Sequence, residues 1–126
     1  MTMPKKTRIL LVDDEPNIVK MLGKRLEAEG FKVSVAIDGD QALKKVQSEE
    51  PDLIVLDVML PKLSGYEVCR WIKRDARYQK IPIIMLTARV QESNEEFGYE
   101  CGTDAYMHKP FRTQELLETI KKFLPH

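Results

Sequence analysis

The sequence has no excess of charge of either sign. Its 126 residues include 20 lysines and arginines and 20 aspartates and glutamates, so the formal net charge is zero. Domains that bind nucleic acid usually carry a clear surplus of basic residues. We therefore expect no direct binding of nucleic acid by this chain. The length is that of one ordinary domain, and we predict a single domain over residues 1–126.

Cysteine, histidine and long hydrophobic runs are also scarce. Cys69 and Cys101 do not form a CxxC pair, which predicts free, buried or half-buried thiols, and two histidines add too little for a zinc site. The longest apolar runs fall far short of the roughly 20 residues that a membrane span needs. Residues 1–6 lack the apolar stretch and cleavage site of a signal peptide. We expect a cytoplasmic protein with no membrane partner.

The sequence does contain a regular alternation of strand-like and helix-like segments. Runs rich in valine, isoleucine and leucine predict five strands, at residues 8–13, 32–37, 53–57, 83–87 and 104–107. The first, third and fourth runs are apolar on both faces, which is typical of inner strands in a parallel sheet covered on both sides. Strands alternating with helices indicate an α/β protein with an open, doubly wound sheet.

Apolar residues at helical spacing fill the segments between these strands. The first helix carries Ile18, Leu22 and Leu26 on one face and is expected to end near Gly30. Three more helix starts are predicted by residue pairs at capping spacing: Asp38 with Gln41, Ser64 with Glu67, and Ser93 with Glu96. A last helix is predicted at about residues 113–124, with Thr113 as its cap.

Polar residues stand where four of the predicted strands end. In a doubly wound sheet, function collects at the carboxyl ends of the strands, near the point where the strand order reverses. Any one of these residues alone is more simply explained as a turn former, a helix cap or a solvated charge. Their joint arrangement indicates a site. The residues are Asp13, Asp14, Asp57, Thr87 and Lys109.

If the strand order is 2-1-3-4-5, the first and third strands are neighbours and their aspartates converge. Two carboxylates about 4 Å apart repel by roughly 4 kcal/mol at an effective dielectric near 20. Such a cluster either raises a pKa or binds a cation, and oxygen ligands suit Mg²⁺ or Mn²⁺. Lys109 and Thr87 would then flank a phosphoryl group. The set supports phosphoryl transfer to a carboxylate, with the central Asp57 as nucleophile.

Four motifs in a fixed order carry a family resemblance. They are ILLVDDEP at residues 9–16, LIVLDVMLP at 53–61 with Gly65 beyond it, MLTAR at 85–89 and GTDAYMHKPF at 102–111. Together they resemble the receiver domain of bacterial two-component response regulators, including the single-domain chemotaxis regulators. The resemblance covers about residues 7–124 and implies a flavodoxin-like (βα)5 sandwich with a parallel five-stranded sheet in the order 2-1-3-4-5.

The resemblance also implies an acceptor and a metal site. Asp57 would accept a phosphoryl group from a sensor histidine kinase or a phosphotransfer protein, and would become an aspartyl phosphate. Asp14 and Asp57 would bind Mg²⁺ directly, Asp13 mainly through water, and the backbone carbonyl of Met59 would add a ligand. The domain would be a signalling phosphoacceptor and not an enzyme, because it would catalyse only its own phosphorylation and dephosphorylation.

A switch is implied by the same resemblance. Thr87 would hydrogen-bond the phosphoryl group, Lys109 would pair with it, and the bond from Lys109 to Pro110 would be cis. Tyr106 would turn inward as Thr87 moves toward the phosphoryl group. The fourth predicted helix, the fifth strand and the last helix, roughly residues 97–117, would then signal to a downstream protein target or effector domain.

The sequence leaves several alternatives open. The domain is either a stand-alone receiver or one excised from a longer regulator. A phosphatase of the haloacid-dehalogenase type would place its nucleophile in a D-x-D pattern after the first strand, where Asp13, Asp14 and Glu15 stand instead. A flavin-binding module needs a phosphate loop at that point, and these acids would repel it. A degenerate receiver is not favoured, since every predicted site residue is present.

Overall fold

The computed structural model describes residues 6–87 and 101–124, which contain one five-stranded sheet. Its strands are β1 (Arg8–Val12), β2 (Lys32–Ala36), β3 (Leu53–Asp57), β4 (Ile83–Thr87) and β5 (Ala105–His108). The order is β2-β1-β3-β4-β5, and every neighbouring pair is parallel. This confirms the predicted doubly wound, flavodoxin-like sheet. β1 and β2 each end one residue earlier than predicted, so Asp13 lies just beyond its strand.

Helices connect or follow the strands within the described ranges. They are α1 (Pro16–Ala28), α2 (Gly39–Glu49), α3 (Gly65–Arg74) and α4 (Thr113–Phe123). The last of these is the fifth helix of the sequence prediction. The helix predicted from Ser93 and Glu96 lies outside the described residues, as do residues 97–100 of the predicted output face. Among the described helices, none has the length and apolar character to cross a membrane.

Two apolar layers lie on opposite faces of the sheet because strand side chains alternate with a period of two. One layer joins Leu10, Leu56 and Met85 to the inner faces of α2 and α3. The other joins residues of α1 and α4 to strand residues of opposite parity, such as Leu11 and Val55. β3 and β4 are buried along their whole length, as predicted for inner strands.

The helix ends follow the sequence closely, with one exception. Gly30 lies just beyond α1 with a φ of 95°, a conformation that favours glycine. The Asp38 carboxylate accepts a 2.8 Å hydrogen bond from the Gln41 N–H, and the Ser64 hydroxyl accepts one of 3.3 Å from the Glu67 N–H. The expected cap at Thr113 is wrong. Arg112 has an extended backbone and occupies the N-cap position, so Thr113 is the first residue inside α4.

Candidate functional site

Three carboxylates converge where β1 and β3 end. The register of these adjacent strands pairs Val12 with Leu56, so Asp13 and Asp57, the next residues, follow side by side. Asp14 joins them, and the three side chains offer carboxylate oxygens that all lie within 4.8 Å of one another. The structure thus brings together the acids that the sequence predicted to meet.

Backbone hydrogen bonds orient the two buried acids. Asp13 and Asp57 are only 1% and 5% exposed, whereas Asp14 is exposed. One oxygen of Asp13 accepts from the Glu15 N–H at 2.9 Å, and one oxygen of Asp57 accepts from the Met59 N–H at 3.2 Å. Each of these acids therefore has its second oxygen, Oδ2, available for a cation.

Lys109 places a positive charge beside these two oxygens. Its Nζ lies 3.4 Å from Oδ2 of Asp13 and 3.4 Å from Oδ2 of Asp57. The backbone helps to place it, because the Lys109 N–H donates to the Thr87 carbonyl at 2.6 Å. The Lys109–Pro110 bond is cis, as predicted. One ammonium group contacts two of the three clustered carboxylates, so the cluster keeps a negative charge when all three are ionised.

The surroundings change the acidity of the central carboxyl group. Burial and the negative charge of Asp13 raise the pKa of Asp57 to about 6, while Lys109 and the Met59 N–H act in the opposite direction. Residues of the same open cleft include Met59 and Ser64. Carboxylate oxygens in an open cleft with access for water are the donor set that Mg²⁺ prefers, so the residues present fit a magnesium ion.

The raised pKa predicts that ionised Asp57 destabilises the metal-free protein. The pKa of Asp57 is about 6 in the folded protein against an ordinary 3.8, so the folded protein binds this proton more tightly than the unfolded chain does. The stability gained from the tighter proton binding is full below about pH 4 and is lost as the pH rises through about 6. Asp57→Asn stays neutral and should exceed the wild type in unfolding free energy by about 1–2 kcal/mol at about pH 8, allowing for solvent screening.

Urea unfolding of both proteins in a metal chelator measures this difference. The advantage of Asp57→Asn should shrink as the pH falls through about 6 and approach zero below about pH 4, where the unfolded wild-type carboxyl group becomes protonated as the folded one already is. A difference that stays constant across this pH range would contradict the electrostatic explanation.

Thr87 and Tyr106 lie on one face of the sheet. Thr87 is buried at the end of β4, and strand alternation places it on the face of Met85. Tyr106 pairs with Met85 in the β4–β5 register and packs in that same apolar layer. Asp57 lies two residues after Val55 and therefore on the same face of β3, and Val55 packs in the other layer. The structure therefore places the two predicted switch residues on the same face of the sheet.

Tyr66 makes a contact with the predicted switch residue Tyr106 that the sequence interpretation missed. Its hydroxyl lies 3.0 Å from the Tyr106 hydroxyl, which joins the first turn of α3 to β5. Tyr106 is half-buried and also makes an edge contact with the ring of His108. No motif or spacing in the sequence distinguishes the Tyr66 hydroxyl.

Gly65 supports the loop that carries Asp57. Its N–H donates to the Val58 carbonyl at 2.9 Å. A Cβ atom at position 65 would overlap the Asp57 carbonyl oxygen and lie 2.8 Å from the Val58 Cα. The start of α3 is therefore packed directly against the backbone of Asp57 and Val58, which only a glycine allows.

Comparison with known proteins identifies the family. A family model described as the response regulator receiver domain matches residues 9–121, which is most of the chain. The chain belongs to the response regulator receiver family. The predicted receiver domain of two-component phosphorelay signalling is thereby confirmed.

Relatives and solved structures agree with this assignment. This chain is 50% identical over 119 residues to the alkaline phosphatase synthesis transcriptional regulatory protein PhoP of Bacillus subtilis (strain 168). The aligned region covers 93% of this chain and 48% of PhoP. The chain matches the chemotaxis response regulator CheY4 of Vibrio cholerae with a TM-score of 0.89 and 32% identity, over 95% of this chain and 100% of CheY4.

A third similar protein is the receiver domain of the sensor histidine kinase PA1611 from Pseudomonas aeruginosa PAO1. It has a TM-score of 0.87 and 31% identity, over 94% of this chain and 98% of that one, and its structure has a magnesium ion coordinated in the active site cleft. The chain spans about half the length of the curated relatives it matches.

Proposed function

We propose that this receiver domain accepts a phosphoryl group onto Asp57 from the phosphohistidine of a sensor histidine kinase or phosphotransfer protein. One observation carries the proposal: the oxygens of three carboxylates lie within 4.8 Å of one another, and Lys109 Nζ lies 3.4 Å from two of these acids. Acids held this close need a cation, and the lysine supplies a second positive charge for a phosphoryl group.

A magnesium ion is the proposed cofactor, with Mn²⁺ as a substitute. Asp13, Asp14 and Asp57 would hold it, and the Met59 carbonyl is proposed as a further ligand because Met59 lines the same cleft. The magnesium coordinated in the similar PA1611 receiver supports this choice. When bound, the ion supplies positive charge that favours ionised carboxylates and phosphoryl oxygens.

The chain's own residues perform the transfer in defined roles. The Met59 N–H fixes one oxygen of Asp57, which leaves the other to attack phosphorus. As the new O–P bond forms, the P–N bond of the donor phosphohistidine breaks, and the imidazole leaves with its electron pair and takes a proton. Lys109 balances the negative charge of the transferred group, and the Glu15 N–H keeps Asp13 in place beside it.

Phosphotransfer from a panel of the host's purified histidine kinases tests this proposal. At least one kinase should lose its label to the receiver within seconds to minutes in magnesium, and transfer should stop in a chelator. If every active kinase fails while acetyl phosphate also fails to label the protein, the acceptor function is wrong. Success with acetyl phosphate alone would retain the acceptor chemistry and reject the tested kinases as donors.

Residues 1–126 are proposed to form one receiver unit, with its core at about 7–124. Because the curated relatives are about twice as long, the unit acts either alone or as the receiver of a longer regulator. Its output is a protein contact in both cases. The proposed output surface includes β5, which carries the switch residue Tyr106, and the start of α4.

Tyr66 is proposed to stabilise the inward position of Tyr106. Removing one neutral hydrogen bond costs about 1 kcal/mol, or roughly a fivefold change in a two-state population. If the inward position is the one that phosphorylation favours, Tyr66→Phe should weaken binding of beryllofluoride, a phosphoryl mimic, by about fivefold in magnesium.

Fluorescence or calorimetric titration of both proteins with beryllofluoride measures the effect. Tyr78→Phe is the matched control, because Tyr78 packs in the same apolar layer but stacks on Trp71. Its affinity should equal that of the wild type. Equal affinities for all three proteins would exclude a role of the Tyr66 hydroxyl in the switch.

A further inference from the structure

Two buried cysteines that are distant in sequence meet between α3 and the segment before β5. Cys69 and Cys101 are separated by 32 positions, are 0% and 3% exposed, and are both free thiols. The Cys69 Sγ donates to the Cys101 carbonyl at 3.6 Å, so the side chain of Cys69 contacts Cys101 directly, and the Cys101 Sγ donates to the Met85 Sδ at 3.8 Å. We propose that this pair is a redox modification site, which a small disulfide compound oxidises to an intramolecular disulfide.

The neighbouring contacts hold the two segments in register for such a bond. Gly102 packs on Lys73, one turn after Cys69 in α3, so closely that a Cβ at Gly102 would lie 3.2 Å from the Lys73 Cβ. Lys73 Nζ also forms a 2.8 Å ion pair with Asp104. A disulfide requires that the two segments stay close together, and these contacts, with the 3.6 Å contact of the Cys69 Sγ to the Cys101 carbonyl, hold α3 against the segment that carries Cys101.

The two thiols are not equivalent, and this difference gives the reaction a direction. Hydrogen bonding to Cys101, followed by burial, raises the pKa of Cys69. The bond that Cys69 donates lowers the pKa of Cys101, which makes Cys101 the better nucleophile. Cys101 is also the slightly more exposed of the two residues. It is therefore the first to react, and Cys69 is the resolving thiol.

The chemistry balances with oxidised glutathione, a small disulfide, as the oxidant. The Cys101 thiolate attacks one glutathione sulfur, a mixed disulfide forms, and the first glutathione leaves as a thiolate that takes up a proton. Cys69 then loses its proton and attacks the Cys101 sulfur, which releases the second glutathione. The protein loses two electrons and two protons, and one oxidised glutathione becomes two reduced molecules.

Buried thiols in a reducing compartment are ordinarily just small apolar core residues. The direct contact between these two separates the proposal from that simpler explanation. A lone core thiol has no partner to resolve a mixed disulfide, so it would either stay unreacted or keep its glutathione. The outcome does not depend on phosphorylation, so it tests the thiol pair independently of the proposed function.

Intact-mass analysis of the native full chain after incubation with oxidised glutathione tests the proposal. The expected product has lost two hydrogens, carries no glutathione, resists alkylation and yields one cross-linked peptide containing Cys69 and Cys101. A reducing agent should restore both thiols. A stable glutathione adduct, a disulfide-linked dimer or two thiols that stay free under native conditions would each overturn the proposal.

Single-cysteine variants and thermal unfolding provide the controls. In Cys69→Ala, Cys101 should retain glutathione, because no second thiol is present to displace it. The oxidised wild type should unfold about 5 °C or more above the reduced form, since the bond closes a long loop in the unfolded chain. No rise, or a fall, would show that the folded protein does not hold the pair in disulfide geometry, and would contradict the proposal.

Discussion

Replacing Asp57 by asparagine should lower phosphorylation on the order of 1,000-fold or more. The substitution removes the anionic oxygen that attacks phosphorus, and a neutral amide is a far weaker nucleophile. It also removes one of the three carboxylates that fit a magnesium ion. Incorporation of labelled phosphate from acetyl phosphate in magnesium measures the effect, and phosphorylation at the wild-type rate would reject the assignment of Asp57.

The same variant separates a chemical role from a structural one. Because burial and Asp13 make the ionised Asp57 unfavourable in the metal-free protein, Asp57→Asn should be more stable than the wild type at neutral pH. A residue needed mainly for folding would show the opposite change. Asp40→Asn is a suitable control, since Asp40 is exposed in the first turn of α2 and pairs only loosely with Lys62 at 3.8 Å. It should be phosphorylated normally.

Gly65→Ala should be the most damaging single-methyl change in the described part of the chain. The added Cβ would overlap the Asp57 carbonyl oxygen and crowd the Val58 Cα, and these are backbone atoms that cannot rotate away. Overpacking usually costs about 1–3 kcal/mol, and a clash with backbone belongs at or above the upper end of that range. The loop bearing Asp57 must also shift, so the affinity for magnesium should fall together with the unfolding free energy.

Gly23→Ala provides a closely matched comparison. Gly23 lies within α1, and a Cβ there would meet no atom within 4 Å. Alanine is the better helix former by roughly 0.5–1 kcal/mol, so this variant should be stabilised slightly. Urea unfolding and magnesium titration of both variants measure the contrast. Similar stabilities for the two would show that Gly65 is not tightly packed under the acceptor loop.

The sheet and the acid cluster could be predicted from the sequence because both follow from strong local patterns. Continuous apolar runs mark β3 and β4 as inner strands, and parallel strands bring their carboxyl ends to one edge. Asp57 and Asp13 are therefore neighbours as soon as the strand order is known. The predicted cap of α4 was wrong for a local reason, because a shift of one residue in the helix start decides which side chain can cap the helix.

The contacts that the sequence did not reveal depend on packing across the sheet. Tyr66 and Tyr106 are 40 positions apart, and nothing in either local pattern indicates that their hydroxyls meet. The same holds for Cys69 and Cys101, since their positions in the sequence predicted only free thiols. Gly65 follows the motif that contains Asp57, but its closeness to the Asp57 carbonyl arises from the packing of the start of α3 on the end of β3.

Chemical mapping of the phosphorylated residue tests the central claim most directly. Reduction of the labelled protein with borohydride converts an aspartyl phosphate to homoserine, which peptide mass analysis can locate. The account predicts homoserine at position 57 alone, with a phosphate that is labile to hydroxylamine. A phosphate that survives hydroxylamine on a hydroxyl group, such as Ser64 or Thr87 at the same edge, would contradict it, as would homoserine at Asp13 or Asp14.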